Sequence, residues 1–311
     1  MPMNNVFSAF LILASLTTIL SSCQPKASKA EKENIEYIYN DFKPDEFYPA
    51  AQVELQIKSS GSTIYGFAYT ADGKGPHPTI VLLHGLPGNE RNLDLAQNLR
   101  RAGINVVYFN YRGAWGSQGI FRFKNSVEDA GAVLDYLTDS LNRFQLKVDT
   151  GKIAFVGHSM GAGLALISGL KDPRVKGIFA VSVFNPYTLL QGKDAEGNLI
   201  GLKEYLLTLG MLNCDPNEFL NDILKDVKQY DIEKMIANSK KPIMVIDEHM
   251  NNSTFTNYNK RKTFEYKIWN TDHAFSNRRV ALTKEIVKWM NKEIISTPIE
   301  KENKPDLKIK K

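Results

Sequence analysis

Residues 152–165 read KIAFVGHSMGAGLA, from Lys152 to Ala165. Ile153 to Val156 is a continuous apolar run of the kind found in strands buried on both faces of a sheet. It leads directly into Gly157-His158-Ser159-Met160-Gly161, after which the small residues Ala162, Gly163 and Ala165 open a helical stretch. A G-x-S-x-G sequence between a buried strand and a helix is the setting in which a sharp turn lifts a serine hydroxyl above the sheet. Ser159 is therefore the candidate nucleophile. The N–H groups at the start of the following helix face the same point and favour a developing oxyanion there.

Similar runs recur on either side. Thr79–Leu83, Ile104–Phe109 and Lys176–Val181 are almost continuously apolar, and helical spacing links Leu93, Leu95, Ala96, Leu99 and Ala102, then Val127, Ala130, Val133, Leu134 and Leu137. Strands alternating with helices predict a doubly wound, mostly parallel α/β sheet. Val53–Ile57 instead alternates apolar and polar, Ser59–Ser62 reads as a turn, and Thr63–Tyr69 as its partner strand, which predicts a leading antiparallel hairpin. Residues 185–240 break the rhythm, with helical patterns at Glu204–Leu212 and Pro216–Val227. A connection of that length is far beyond the usual 4–6 or so residues and predicts a helical lid over one end of the sheet. Strand patterns resume at Pro242–Ile246 and Phe264–Trp269, and an amphipathic helix is expected from Arg278 to Ile294. The domain is thus expected over residues 46–297, with a disordered charged tail at 298–311.

Strand 79–83 ends in His84-Gly85-Leu86-Pro87-Gly88-Asn89. Together with Tyr111-Arg112-Gly113, Gly116-Ser117 and GHSMG, this segment resembles the α/β-hydrolase superfamily, and the resemblance extends over most of residues 53–294. It implies the α/β-hydrolase fold, with an oxyanion hole formed by the N–H of Met160 and by the loop after His84-Gly85. Pro87 has no N–H, so Leu86 is the second donor. The YRG and GSQG segments and the lid resemble the serine-aminopeptidase and monoacylglycerol-lipase-like branch.

A serine nucleophile needs a base. Of five histidines, His77 lies at the wrong end of its strand, His84 sits in a loop where its ring can hold the backbone, and His158 is part of the elbow. Asp272-His273-Ala274-Phe275 looks like the superfamily's D-H-x-F ending, which implies that His273 is the base. The acid should follow the strand after the lid. Many relatives carry H-G-x-x-D there, but this chain has Asn251 where that acid would stand. Asp247 is favoured as the first residue beyond a strand ending at Ile246, with Glu248 as the second choice. Asp272, or no acid, stays open as well.

The chain has 311 residues, 43% hydrophobic and 23% charged, which excludes a wholly disordered chain, a collagen-like repeat and a multi-span membrane protein. The net charge of +5 is partly local, because Glu300–Lys311 carries five Lys against three acids. Without a basic stripe it does not point to nucleic acid. The glycines around Ser159 match no phosphate-binding pattern, and Cys23 and Cys214 are too few for a cysteine-rich metal site. No cofactor and no metal are expected.

Residues 1–25 hold no charged side chain, and Val6–Leu20 is an apolar core of signal-peptide length. Leu20-Ser21-Ser22-Cys23 resembles the lipobox of bacterial lipoproteins. That implies a signal peptide over 1–23, lipid on Cys23, a tether over 24–45 and a place in the bacterial cell envelope. The expected function is a serine hydrolase acting on a small carboxylic ester, less readily on an amide or short peptide. The alternative is a non-catalytic or non-hydrolytic lipoprotein of the same fold, either a binding scaffold or an acyltransferase.

Overall fold

The computed structural model describes residues 38–190, 194–249, 255, 258 and 261–296. The expected signal peptide, Cys23, most of the tether and the charged tail lie outside the described residues. Eight strands form one sheet: β1 (Ala51–Ser59), β2 (Ser62–Thr70), β3 (His77–Leu83), β4 (Asn105–Phe109), β5 (Val148–His158), β6 (Val175–Val181), β7 (Ile243–Glu248) and β8 (Phe264–Trp269). Their spatial order is β1-β2-β4-β3-β5-β6-β7-β8. β1 and β2 form the antiparallel hairpin, β2 runs antiparallel to β4, and every pairing from β4 onward to β8 is parallel.

The apolar runs in the sequence are explained by burial on both sides. Val81, Val107, Phe155, Ile178 and Val245 face one layer, built from the helices Phe123–Thr138 and Met160–Gly169 and from helices inserted after β6. Their sequence neighbours Leu82, Val106, Val156, Phe179 and Met244 face the other layer, against the helices Leu93–Arg101 and Arg279–Trp289. Each such side chain contributes about 1.5–3 kcal/mol when fully buried, so the register is fixed throughout the central strands.

The Tyr111-Arg112-Gly113 segment acquires a structural reason. Arg112 Nε lies 2.6 Å from Asp129 Oδ1 and its backbone N–H donates to Asp129 Oδ2 at 2.8 Å. Ser59 Oγ donates to the same carboxylate at 2.6 Å. A fully buried Asp129 thereby ties β1, the loop after β4 and the helix Phe123–Thr138 together.

Between β6 and β7 lie the helices Pro186–Leu189, Ala195–Leu207, Pro216–Asp226 and Ile232–Asn238. The third begins as the sequence predicts: Asp215 caps the N–H groups of Asn217 and Glu218, and Pro216 occupies the first turn, where a missing N–H costs nothing. The second differs from the expected Glu204–Leu212 and ends at Leu207. Residues 208–214 instead lie against the loop after β4, where Trp115 N–H donates to Met211 O at 3.2 Å and Asn213 N–H to Gly113 O at 2.7 Å. Lateral backbone pairing outcompetes the last helical turn around Gly210.

Candidate functional site

β5 ends at His158, and Ser159 then adopts φ 58° and ψ −121°. A left-handed, non-glycine residue costs about 1–3 kcal/mol and persists only where its surroundings over-determine it. Here they do. Ser159 N–H donates to Val181 O at 2.9 Å, while its carbonyl accepts from Ala162, Gly163 and Phe184 N–H groups at 3.0–3.2 Å. Gly161 is needed for the same reason, since a Cβ at that position would lie 2.1 Å from the Leu83 carbonyl oxygen. The strained turn is thus locked between β3, β5 and β6.

The loop after β3 closes over this turn. A Cβ on Gly85 would lie 2.8 Å from Ser159 Cβ and 3.4 Å from its Oγ, so the peptide leading to Leu86 passes directly beside the hydroxyl. Among the described residues, the N–H groups of Leu86 and Met160 make no hydrogen bond. Met160 opens its helix, where first-turn donors lack helical acceptors. His84 is a buried strut: its Nδ1–H donates to Gly85 O at 2.8 Å, and Tyr111 OH donates to its carbonyl at 3.1 Å. Burial lowers its pKa to about 4 and keeps the ring neutral.

His273 lies after β8, on the layer lined by Phe275 and the helix Arg279–Trp289. His158, the residue before Ser159, donates from Nε2 to His273 O at 2.7 Å, and the two rings stand 4.9 Å apart. Burial lowers the His158 pKa to about 4 as well. The elbow therefore holds the His273 loop through a neutral imidazole. No hydrogen bond joins Ser159 Oγ to His273 among the described residues.

Glu248 meets the His273 ring at Nδ1. Its Oε1 lies 2.9 Å from His273 Nδ1. Burial pushes the Glu248 pKa up, but the hydrogen bonds from His273 and Ser182 outweigh it and leave the group below its ordinary value. Asp247 is turned away. It is fully buried, accepts Val183 N–H at 3.0 Å on Oδ1 and the Tyr266 hydroxyl at 3.0 Å on Oδ2.

This reverses the preference for Asp247 drawn from the sequence, and the cause is one of phase. β7 does not stop at Ile246 but continues to Glu248. Alternation then puts Ile243, Val245 and Asp247 on one side, and Met244, Ile246 and Glu248 on the side that carries His273. Asp272 is occupied elsewhere, accepting Ser276 N–H at 2.7 Å.

Sequence reasoning passed over one member of this cluster. Ser182, directly after β6, is 1% exposed and its Oγ lies 2.8 Å from His273 Nδ1. Nothing in its local sequence marks it; only its position at a strand end beside the elbow strand would have. Among the described residues, no group of His, Cys, Asp or Glu side chains is arranged to hold a metal ion. No helix among them is long and apolar enough to cross a membrane.

Comparisons with known proteins agree on the architecture. The sequence model of the α/β-hydrolase fold family matches residues 78–199. The chain is 26% identical over 182 residues to the quorum-quenching protein AidA of Acinetobacter baumannii, covering 52% of this chain and 58% of that protein. It spans about half the length of the first curated relatives it matches. Among solved structures, Est1E from Butyrivibrio proteoclasticus superposes with a TM-score of 0.58 at 13% identity, over 78% of this chain and 99% of that one. The Pyrococcus furiosus esterase Pf2001 gives 0.56 at 18% identity, over 82% and 97%. The chain has the α/β-hydrolase fold.

Proposed function

We propose that the chain is a serine hydrolase that cleaves a carboxylic ester by acyl transfer through Ser159. The observation that carries this reading is the pair of links at His273: Glu248 on Nδ1, and His158 holding its backbone to the elbow. A carboxylate on Nδ1–H fixes the tautomer that leaves a lone pair on Nε2, the nitrogen required of a general base.

In the proposed reaction Ser159 Oγ attacks the ester carbonyl carbon while its proton passes to His273 Nε2. The carbonyl oxygen becomes an oxyanion facing the uncommitted N–H groups of Leu86 and Met160. Collapse of the tetrahedral species breaks the bond to the alkoxy oxygen, which takes the proton from His273 and leaves as an alcohol. Water then attacks the acyl-enzyme by the same route and releases the acid. Glu248 stays ionised throughout and stabilises the imidazolium.

The helices between β6 and β7 act as a lid in this reading. Tyr205, on the helix Ala195–Leu207, places its hydroxyl 3.4 Å from the Leu86 carbonyl, so the insertion touches the oxyanion loop itself. A small ester, or less readily an amide or short peptide, would bind beneath it. The likeness to two esterases of the same fold supports an ester substrate. The apolar segment Val6–Leu20 and Leu20-Ser21-Ser22-Cys23 support export, with a lipid anchor on Cys23 and the domain held off the bilayer by residues 24–45.

The test is a fluorophosphonate probe together with a panel of p-nitrophenyl esters of varied chain length. Wild-type protein should label once and hydrolyse at least one ester. Ser159→Ala should lose the label and reduce turnover by several orders of magnitude. Unchanged turnover in a folded Ser159→Ala protein would end the serine-hydrolase reading.

A further inference from the structure

We propose that Ser182 is a positioning residue for His273, a second brace that works together with Glu248 on the same ring nitrogen. The inference rests on the hydrolase reading for its effect on turnover, but not for the geometry it asserts.

Ser182 sits at the end of β6 in a left-handed conformation, φ 54°, matching the φ of 58° at Ser159 at the end of β5. Glycine would adopt this backbone without strain, yet the chain carries a serine. That serine is fixed from both sides. Its N–H donates to Ile246 O at 2.9 Å, and the next N–H, of Val183, donates to Asp247 Oδ1 at 3.0 Å. The role of Asp247 follows: it anchors the turn that presents Ser182.

The hydroxyl held there faces two groups, His273 Nδ1 at 2.8 Å and the Glu248 carboxylate. A carboxylate only accepts, so the Ser182 O–H donates to Glu248 and its lone pairs are left for His273 Nδ1–H. Nδ1–H therefore lies between two acceptors, Glu248 Oε1 and Ser182 Oγ. This matters because the His273 side chain is 57% exposed. Little packing holds the ring, and a single hydrogen bond is a pivot about which it can rotate. Two acceptors on different strands, one on β7 and one following β6, define its plane. They also oppose transfer of the proton to Nε2, which would abolish the base.

The experiment compares Ser182→Ala with Ser182→Gly. Both remove the hydroxyl, but glycine also relieves the backbone strain. In wild-type protein with 15N-labelled histidine, NMR should show His273 almost wholly as the Nδ1–H tautomer, its signals assigned by their loss in His273→Asn. Both variants should show a mixture of tautomers. With the best p-nitrophenyl ester, kcat should fall about tenfold in both, the scale of one hydrogen bond, with KM within twofold of wild type. Wild-type-like tautomer ratio in Ser182→Gly would overturn the proposal, as would a kcat retained by Ser182→Gly but lost by Ser182→Ala. A wild-type chain that shows the Nδ1–H tautomer but neither labels nor hydrolyses would refute the hydrolase reading and leave the brace standing.

Discussion

Exchanging the two adjacent acids Asp247 and Glu248 for their amides separates orientation of the base from support of the fold. Glu248→Gln keeps the length and shape of a side chain whose Oε1 lies 2.9 Å from His273 Nδ1. Its amide can turn an NH2 group toward that nitrogen, which then serves as acceptor, and the proton moves to Nε2. In the proposed mechanism the base is lost while the packing is kept. Replacing the acid of a Ser-His-acid triad by its amide costs about 10⁴ in kcat, or about 5 kcal/mol at 1.36 kcal/mol per tenfold. Asp247→Asn acts elsewhere. Its carboxylate accepts Val183 N–H and the Tyr266 hydroxyl, each at 3.0 Å, from a fully buried position. An asparagine retains one acceptor oxygen and leaves one partner short, a loss of about 1–3 kcal/mol of stability. For a domain of this size that lowers Tm by roughly 2–12 °C. Steady-state kinetics on a p-nitrophenyl ester, beside thermal melts of both variants, should give Glu248→Gln nearly inactive at wild-type Tm. Asp247→Asn should melt earlier and keep kcat within about tenfold. The opposite pattern, activity lost in Asp247→Asn and kept in Glu248→Gln, would refute the assignment.

Three further outcomes are expected. Asp129→Ala takes away the shared acceptor of Arg112 Nε, the Arg112 backbone N–H and the Ser59 hydroxyl, while Glu128 and the Asn125 carbonyl still hold the far end of the guanidinium. It should destabilise the domain by about 1–3 kcal/mol for each donor left short, read as a lower urea midpoint, and a midpoint equal to wild type would show that the Asp129 hub contributes nothing. His84 and His158, both lowered to about 4 by burial, bind fewer protons folded than unfolded. Their contribution is therefore full above about pH 6.5 and is lost as pH falls toward 4, by roughly 2 kcal/mol each at pH 5; urea midpoints that do not fall between pH 7 and pH 5 contradict their neutral burial. Mass spectrometry of detergent-extracted protein should find an acylated Cys23 as the mature N-terminus, and a chain released without detergent from another start would contradict the anchor.

The central sheet was legible because it obeys local rules. Strands buried on both faces are apolar at nearly every position, so Ile80–Leu83 and Ile153–Val156 stand out as runs, and the helices between them show their own spacing. Gly157-His158-Ser159-Met160-Gly161 was legible for a similar reason: the turn requires small residues at fixed offsets, as the contact between Gly161 and Leu83 O makes plain. The helix boundary at Leu207 was not, because residues 208–214 are paired with backbone far away in sequence.

The acid shows most clearly where sequence reasoning stops. Alternation along β7 is a sound rule, and the structure obeys it. Applying it requires two facts absent from the sequence: where the strand ends, and on which side of the sheet His273 arrives. β7 runs to Glu248, two residues beyond the end expected at Ile246. The second is decided after β8, where Phe275 and the helix Arg279–Trp289 seat the His273 loop on the layer shared by Met244 and Ile246. Once that side is known, Glu248 follows as the acid on His273 and Asp247 becomes the anchor of the next turn. Ser182 follows from the same step, for the turn anchored by Asp247 is the one that carries its hydroxyl to His273 Nδ1. Three neighbouring strand ends, those of β5, β6 and β7, thus present Ser159, Ser182 and Glu248, and only their lateral order in the sheet makes a site of them.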